Sequence, residues 1–143
     1  MTLEEIQKLW DVDCIIDKTE LGDAALKIPQ LSSKYLKLLS RERLSYQALL
    51  GKQKQLRLDK QEFFLYGPFQ GDERGWKLPP SGKVLKGDVP AYIDADPDVC
   101  KLQLQIEYQK EKVDFLFSII KSINDRTWYI KNNIEWMRFT NGG

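Results

Sequence analysis

Histidine is missing from this 143-residue chain. With it go a Ser/Cys–His catalytic pair, an imidazole general base and any imidazole metal ligand. Cysteine is nearly missing too: Cys14 and Cys100 stand far apart, neither with a second Cys beside it. That excludes a CxxC redox motif and a zinc site. Two isolated thiols behind no secretory leader read as buried cytosolic thiols rather than as a disulfide. No run of about 18 apolar residues is present to span a membrane. The start, Met1-Thr2-Leu3-Glu4-Glu5, is acidic, the opposite of a secretory n-region. GxxxxGK(S/T), GxGxxG and GxSxG are all absent. The acids Asp94, Asp96 and Asp98 surround the start of an expected helix, where they serve its dipole; a magnesium site is the competing reading. No catalytic residue, cofactor or metal is expected, and the chain reads as a non-enzyme.

What is present is charge, unevenly placed. The formal net charge of +1 argues at face value against a nucleic-acid binder. Taken in segments, residues 1–26 carry a net −5 and residues 27–66 a net +6, while 67–100 and 101–143 stand at −2 and +2. Neutrality is therefore cancellation, and the +6 stretch can still attract an anion locally.

Thr2 with Glu5 three residues on forms a capping box for a short helix over about 3–10, with Leu3, Ile6, Leu9 and Trp10 on its apolar face. A second helix is expected from about Pro29, which disfavours helix at Ile28 and suits a first turn. It runs to Tyr66, with Gly51 as its one weak point. Lys27, Lys34, Lys37, Arg41 and Lys52 fall within roughly 80° of one another on that helix. Arg43, Lys54 and Arg57 make a second basic strip. Bases followed by Phe63, Phe64, Tyr66, Phe69 and Trp76 combine phosphate tracking with base stacking, as neutral single-strand binding requires. The competing reading is a solvated face with a hydrophobic end, and Phe63 continues the apolar seam. Residues 67–95 hold most of the turn formers, and Lys83–Lys86 and Ala91–Ile93 are expected to pair as a small hairpin.

Asp96-Pro97 then predicts a helix start. Steps of three and four follow, through Val99, Leu102, Ile106, Gln109, Val113, Leu116, Ile120, Ile123, Thr127, Ile130, Ile134 and Met137. All but Gln109 and Thr127 are apolar, a seam of coiled-coil grade. Flanking aromatics widen it beyond a dimer stripe and favour a higher-order bundle, so the ten apolar members are candidate oligomerisation residues. The competing reading is an intramolecular hairpin packed on the 29–66 helix.

Several short segments, in this order and spacing, resemble the UvsY recombination mediators of T-even-type phages. They are Leu3-Glu4-Glu5-Ile6-Gln7, Ile16-Asp17-Lys18-Thr19-Glu20-Leu21, Ser33-Lys34-Tyr35-Leu36, Leu56-Arg57-Leu58-Asp59-Lys60, Phe63-Phe64 and Ala95-Asp96-Pro97-Asp98-Val99. The resemblance implies a non-enzymatic accessory of homologous recombination and repair in the cytoplasm of an infected bacterial host. It would bind single-stranded DNA, contact the single-strand-binding protein and help load a RecA-like recombinase. It would work as a ring-like homo-oligomer, six or seven subunits by resemblance, joined through C-terminal helices.

The family's DNA-contacting Lys-x-Arg element registers here in two ways. Alignment on Leu58-Asp59 puts Arg57 at the Arg and Gln55 at the Lys. Alignment on the aromatic pair puts Lys60 at the Arg and Leu58 at the Lys. Arg57 and Lys60 are the first candidates, then Lys54 and Lys52, with Arg41, Lys34 and Lys37 completing the set.

The expected fold is mainly α, a long basic helix and a long heptad-patterned C-terminal helix separated by a Gly/Pro-rich insertion, in a helical assembly. The expected segments are an acidic start and basic DNA-binding helix over 1–66, the insertion over 67–95 and oligomerisation helices over 96–143. No membrane contact is expected. The rival function is a coiled-coil scaffold or adaptor that binds no DNA.

Overall fold

The structure, a computed structural model, describes residues 1–142. Four helices follow one another: α1 (Leu3–Asp13), α2 (Leu21–Tyr66), α3 (Val89–Asp94) and α4 (Pro97–Thr140). They form two compact units, Met1–Leu44 with Gln109–Gly143, and Ser45–Tyr108. The mainly helical expectation holds, with two long helices separated by the turn-rich insertion; Cys14 and Cys100 are free thiols, but both are exposed rather than buried.

In the first unit the Thr2 capping box forms as its spacing dictates. The Thr2 hydroxyl accepts from the Glu5 N–H at 3.1 Å, and the Glu5 carboxylate accepts from the Thr2 N–H at 2.7 Å. Ile6 of α1, Tyr35 and Leu39 of α2, and Val113, Leu116, Ile119, Ile123 and Ile130 of α4 are buried there. The Trp10 ring meets Tyr35 edge-on at 5.5 Å. Asp13 closes α1: its carboxylate accepts from Tyr35 Oη at 2.8 Å and Lys34 Nζ at 2.6 Å, while the buried Arg126 donates to its carbonyl. A cation on the last carbonyl of a helix satisfies both its orphan acceptor and its dipole.

The two polar-looking exceptions in the C-terminal seam differ. Thr127 is exposed. Gln109 is buried, and its amide donates to the Glu42 carboxylate at 2.7 Å and the Glu42 carbonyl at 2.8 Å. Lys112 Nζ reaches the same carboxylate at 2.9 Å and the Met1 carbonyl at 3.0 Å.

These contacts carry a pH dependence. Burial pushes the Asp13 carboxyl upward, but the Lys34 and Tyr35 hydrogen bonds outweigh it and leave it below its ordinary 3.8. Burial likewise raises Glu42, and Gln109 and Lys112 bring it below its ordinary 4.5. Groups lowered by folding contribute stability that is full above their unfolded values and fades as pH falls through the folded ones. Thermal midpoints of the protein should hold down to about pH 5 and then fall steeply towards about pH 3. A double variant, Asp13→Asn with Glu42→Gln, should start lower and show a shallower acid decline.

Pro29 does not begin α2, as expected, but lies inside it. Pro29 is exposed, as is Ala25, whose carbonyl loses the Pro29 N–H. Water can serve that carbonyl, so the helix continues upstream to Leu21. Gly67, at φ +79°, ends α2 in the left-handed region, its N–H bonded to the Phe63 carbonyl at 2.8 Å.

The second unit packs Phe63, Phe64, Val84, Val89, Ile93 and Val99 together, with Leu56, Leu65, Trp76 and Leu78 at the margin. The expected hairpin does not form. Among the described residues there is no strand, and Ala91–Ile93 lies in α3. Pro90 explains this: it offers no N–H to a ladder and sits in the first turn of a helix, where none is needed. Val84 instead donates its N–H to the Phe64 carbonyl at 2.9 Å, tying the insertion to the end of α2. Asp96 caps α4 as its position before Pro97 predicts, accepting from the Asp98 and Val99 N–H groups at 3.0 and 3.2 Å.

Candidate nucleic-acid interface

The seven candidate DNA-binding residues divide between the units. Lys34, Lys37 and Arg41 belong to the first; all are exposed, and Lys34 is paired with Asp13. Lys52, Lys54, Arg57 and Lys60 belong to the second. Lys52 and Lys54 are exposed, and Arg57 is 42% exposed at its side chain.

Lys60 is placed quite differently. Its side chain is 3% exposed, and its ammonium lies 3.0 Å from Asp96 and 2.9 Å from Asp98. It also stands 3.8 Å from the centre of the Trp76 ring. Arg74 lies over the same ring at 4.0 Å while forking onto Asp72 at 2.9 and 2.8 Å. Phe63 meets Trp76 edge-on at 5.6 Å. Lys60 is thus the centre of a polar and aromatic cluster that holds the insertion, α2 and the start of α4 together.

The aromatic residues sort likewise. Phe63 and Phe64 are core, Trp76 is half-buried beneath its cations, and Tyr66 and Phe69 are exposed.

A groove of about 580 Å³ opens between the late part of α2 and α3. Lys54, Arg57 and Lys86 supply its charge, with Leu58, Leu65, Val89, Pro90 and Ile93 as its apolar lining. The 3.6-residue repeat brings Lys54, Arg57, Leu58 and Gln61 to one face of α2. Pro90, by starting α3 where a strand was expected, presents the opposite wall. Arg57 donates to Asp94 at 2.9 Å, a pair exposed to solvent at both ends and therefore weak. Three cations around an apolar floor match a flexible polyanion that also carries flat apolar groups.

Lys86 was not among the sequence candidates. Its one signal is position: a base just before Gly87-Asp88-Val89-Pro90, a helix-starting string that fixes the side of the groove it joins.

The ten candidate oligomerisation residues are mostly covered within the single chain. Val99, Ile106, Val113, Leu116, Ile123 and Ile130 are buried; Leu102 and Ile120 are partly so. Ile134 and Met137 are exposed, in a stretch of α4 that also exposes Trp128, Tyr129, Trp136 and Phe139. Among the described residues no helix is long and apolar enough to cross a membrane. The carboxylates of Asp94, Asp96 and Asp98 all face cations of α2.

Known proteins resemble this chain in both sequence and fold. Residues 9–143 match a family described as "Recombination, repair and ssDNA binding protein UvsY". The recombination protein uvsY of Enterobacteria phage T4 is 28% identical over 146 residues, covering 100% of this chain and 99% of the relative. A crystal structure of the bacteriophage T4 recombination mediator protein UvsY superimposes with a TM-score of 0.79 at 26% identity, covering 100% of this chain and 99% of that one. In another lattice the same protein gives 0.77 at 24% identity, over 96% and 98% of the chains.

Proposed function

The chain belongs to the UvsY family, and from that membership together with the basic groove we propose that it is a recombination mediator. It binds single-stranded DNA and helps a RecA-like recombinase nucleate on strands covered by a single-strand-binding protein. The setting is phage homologous recombination and repair, in the cytoplasm of the infected host. The observation that carries the DNA-binding part is the convergence of Lys54, Arg57 and Lys86 on one groove. No nucleotide hydrolysis is required of such a protein, because recombinase binding to the exposed strand supplies the driving force.

Lys52 lies on the other basic strip of α2, facing away from the groove; it, and Lys37 and Arg41 on the first unit, offer further phosphate contacts. Lys60 acts by positioning rather than contact, since its ammonium is already committed to two carboxylates. Self-association adds avidity when several copies display the groove to one strand. The α4 stretch that leaves Trp128, Tyr129, Ile134, Trp136, Met137 and Phe139 uncovered is the surface for it, because the earlier part of the seam is filled within the chain.

A salt titration of oligo-dT binding tests this reading. Wild-type affinity should fall steeply with salt. A triple variant, Lys54→Ala, Arg57→Ala and Lys86→Ala, should reduce the log–log slope by about 2, at roughly 0.7 per single-strand phosphate contact. A wild type that ignores oligo-dT at low salt refutes the function. A triple variant with an unchanged slope refutes the placement of the interface.

A further inference from the structure

The groove between α2 and α3 is basic at its rim and apolar beneath, which phosphate tracking alone does not require. A site that only follows a backbone needs cations spaced along a polar surface. Here Leu58, 49% exposed, and the exposed Pro90 line the groove together with three cations. Both are rigid or compact apolar faces, and water against them is poorly held.

We propose that this groove is a nucleobase slot: one unpaired base inserts between Leu58 and Pro90 while Lys54, Arg57 and Lys86 hold the phosphates on either side. The inference rests on the single-stranded DNA reading above and names the part of the strand that the site recognises. The volume of about 580 Å³ falls within the ordinary range of about 300–1,000 Å³ for small-ligand sites and admits a base with its sugar. Gln61, which also lines the groove, presents one amide acceptor and two donors. An amide that can turn over serves the edge of any base, so the slot takes bases without choosing among them.

The slot makes the protein a reader of strand state. A base within a duplex is stacked and paired, and extracting it costs a few kcal/mol. A base in a bare strand enters at little cost. Duplex DNA therefore meets only the rim cations, whereas a single strand meets rim and floor together.

The test compares oligo-dT with an oligonucleotide of equal length made of abasic sites, which keeps the phosphates and removes the bases. Both are titrated by fluorescence anisotropy at one salt concentration against the full-length protein and its Leu58→Gln variant. Gln keeps the helix propensity of Leu at an exposed position, and thermal unfolding verifies the fold. The slot predicts that wild type prefers oligo-dT over the abasic strand by about tenfold or more, from the apolar area a base buries against Leu58 and Pro90. It predicts that Leu58→Gln brings that ratio towards one. Equal wild-type affinity for both strands overturns the slot while leaving single-strand binding intact. An unchanged ratio in Leu58→Gln overturns the placement of the base. Binding of neither strand overturns the slot together with the function it rests on.

Discussion

Lys60→Ala is expected to cost about 3–5 kcal/mol of stability, the penalty for removing one member of a buried ion pair. Asp96 is 8% exposed and depends on Lys60 for its charge balance. It also caps α4 through the Asp98 and Val99 N–H groups. Without the ammonium, a buried carboxylate is left at the point where α4 begins, and Trp76 loses the cation 3.8 Å from its ring. Urea denaturation followed by circular dichroism should show the loss as a lower midpoint in the transition of the second unit. Arg57→Ala should cost no more than about 1 kcal/mol in the same measurement, because its pair with Asp94 is solvated at both ends.

The contrast matters for reading DNA-binding data. A Lys60→Ala protein that fails to bind has lost its scaffold, and an Arg57→Ala protein that fails to bind has lost a contact. An unchanged urea midpoint in Lys60→Ala would show that Asp96 does not depend on this ammonium.

Glu42→Ala is expected to cost about 3 kcal/mol by the same physics in the first unit. The carboxylate holds the Gln109 amide at 2.7 Å and the Lys112 ammonium at 2.9 Å, and all three residues are buried. Alanine removes the carboxylate that pairs with the ammonium and leaves the Gln109 amide one acceptor short. Glu42→Gln should cost less, since its amide oxygen still accepts from Gln109. A polar group at one seam position fixes the register of a helix pair, because a slide past it leaves charge against apolar side chains. Replacing Glu42, Gln109 and Lys112 together by Met, Leu and Leu should therefore recover most of the lost stability. Failure to recover it would assign the role to shape rather than charge.

What could be read from the chain alone was what is local. The capping box at Thr2 and Glu5 and the cap at Asp96 each lie within four residues, so composition and spacing suffice. The stripe from Val99 to Met137 marks a buried face of a helix. It does not say whether that face is buried by its own chain or by another, and most of it is buried by its own. Pro29 lies inside α2 and not at its start because the proline rule is steric and local, whereas the exposed Ala25 carbonyl makes its cost bearable. The fate of Ala91–Ile93 turned on a single proline that suits a helix start better than a ladder. At the site, Arg57 and Lys54 were legible as bases at helical spacing. Lys60 has the same spacing and the same charge, but its solvation is decided by Asp96 and by Asp98, 38 positions away. Lys86 lay outside any pattern until α3 gave it a wall to stand on.

The exposed Arg57–Asp94 pair gives the groove its own competitor. On the proposed reading, a phosphate must displace Asp94 to reach the guanidinium, and whenever that phosphate lifts away the tethered carboxylate is already alongside to recapture it. A tethered competitor acts at an effective concentration in the millimolar range or above, whatever the concentration of free anions around it. At Arg57, a departing phosphate is then replaced by a group that never leaves. On that reading the Arg57–Asp94 pair shortens the strand's stay at Arg57, and a strand so held is the easier to release.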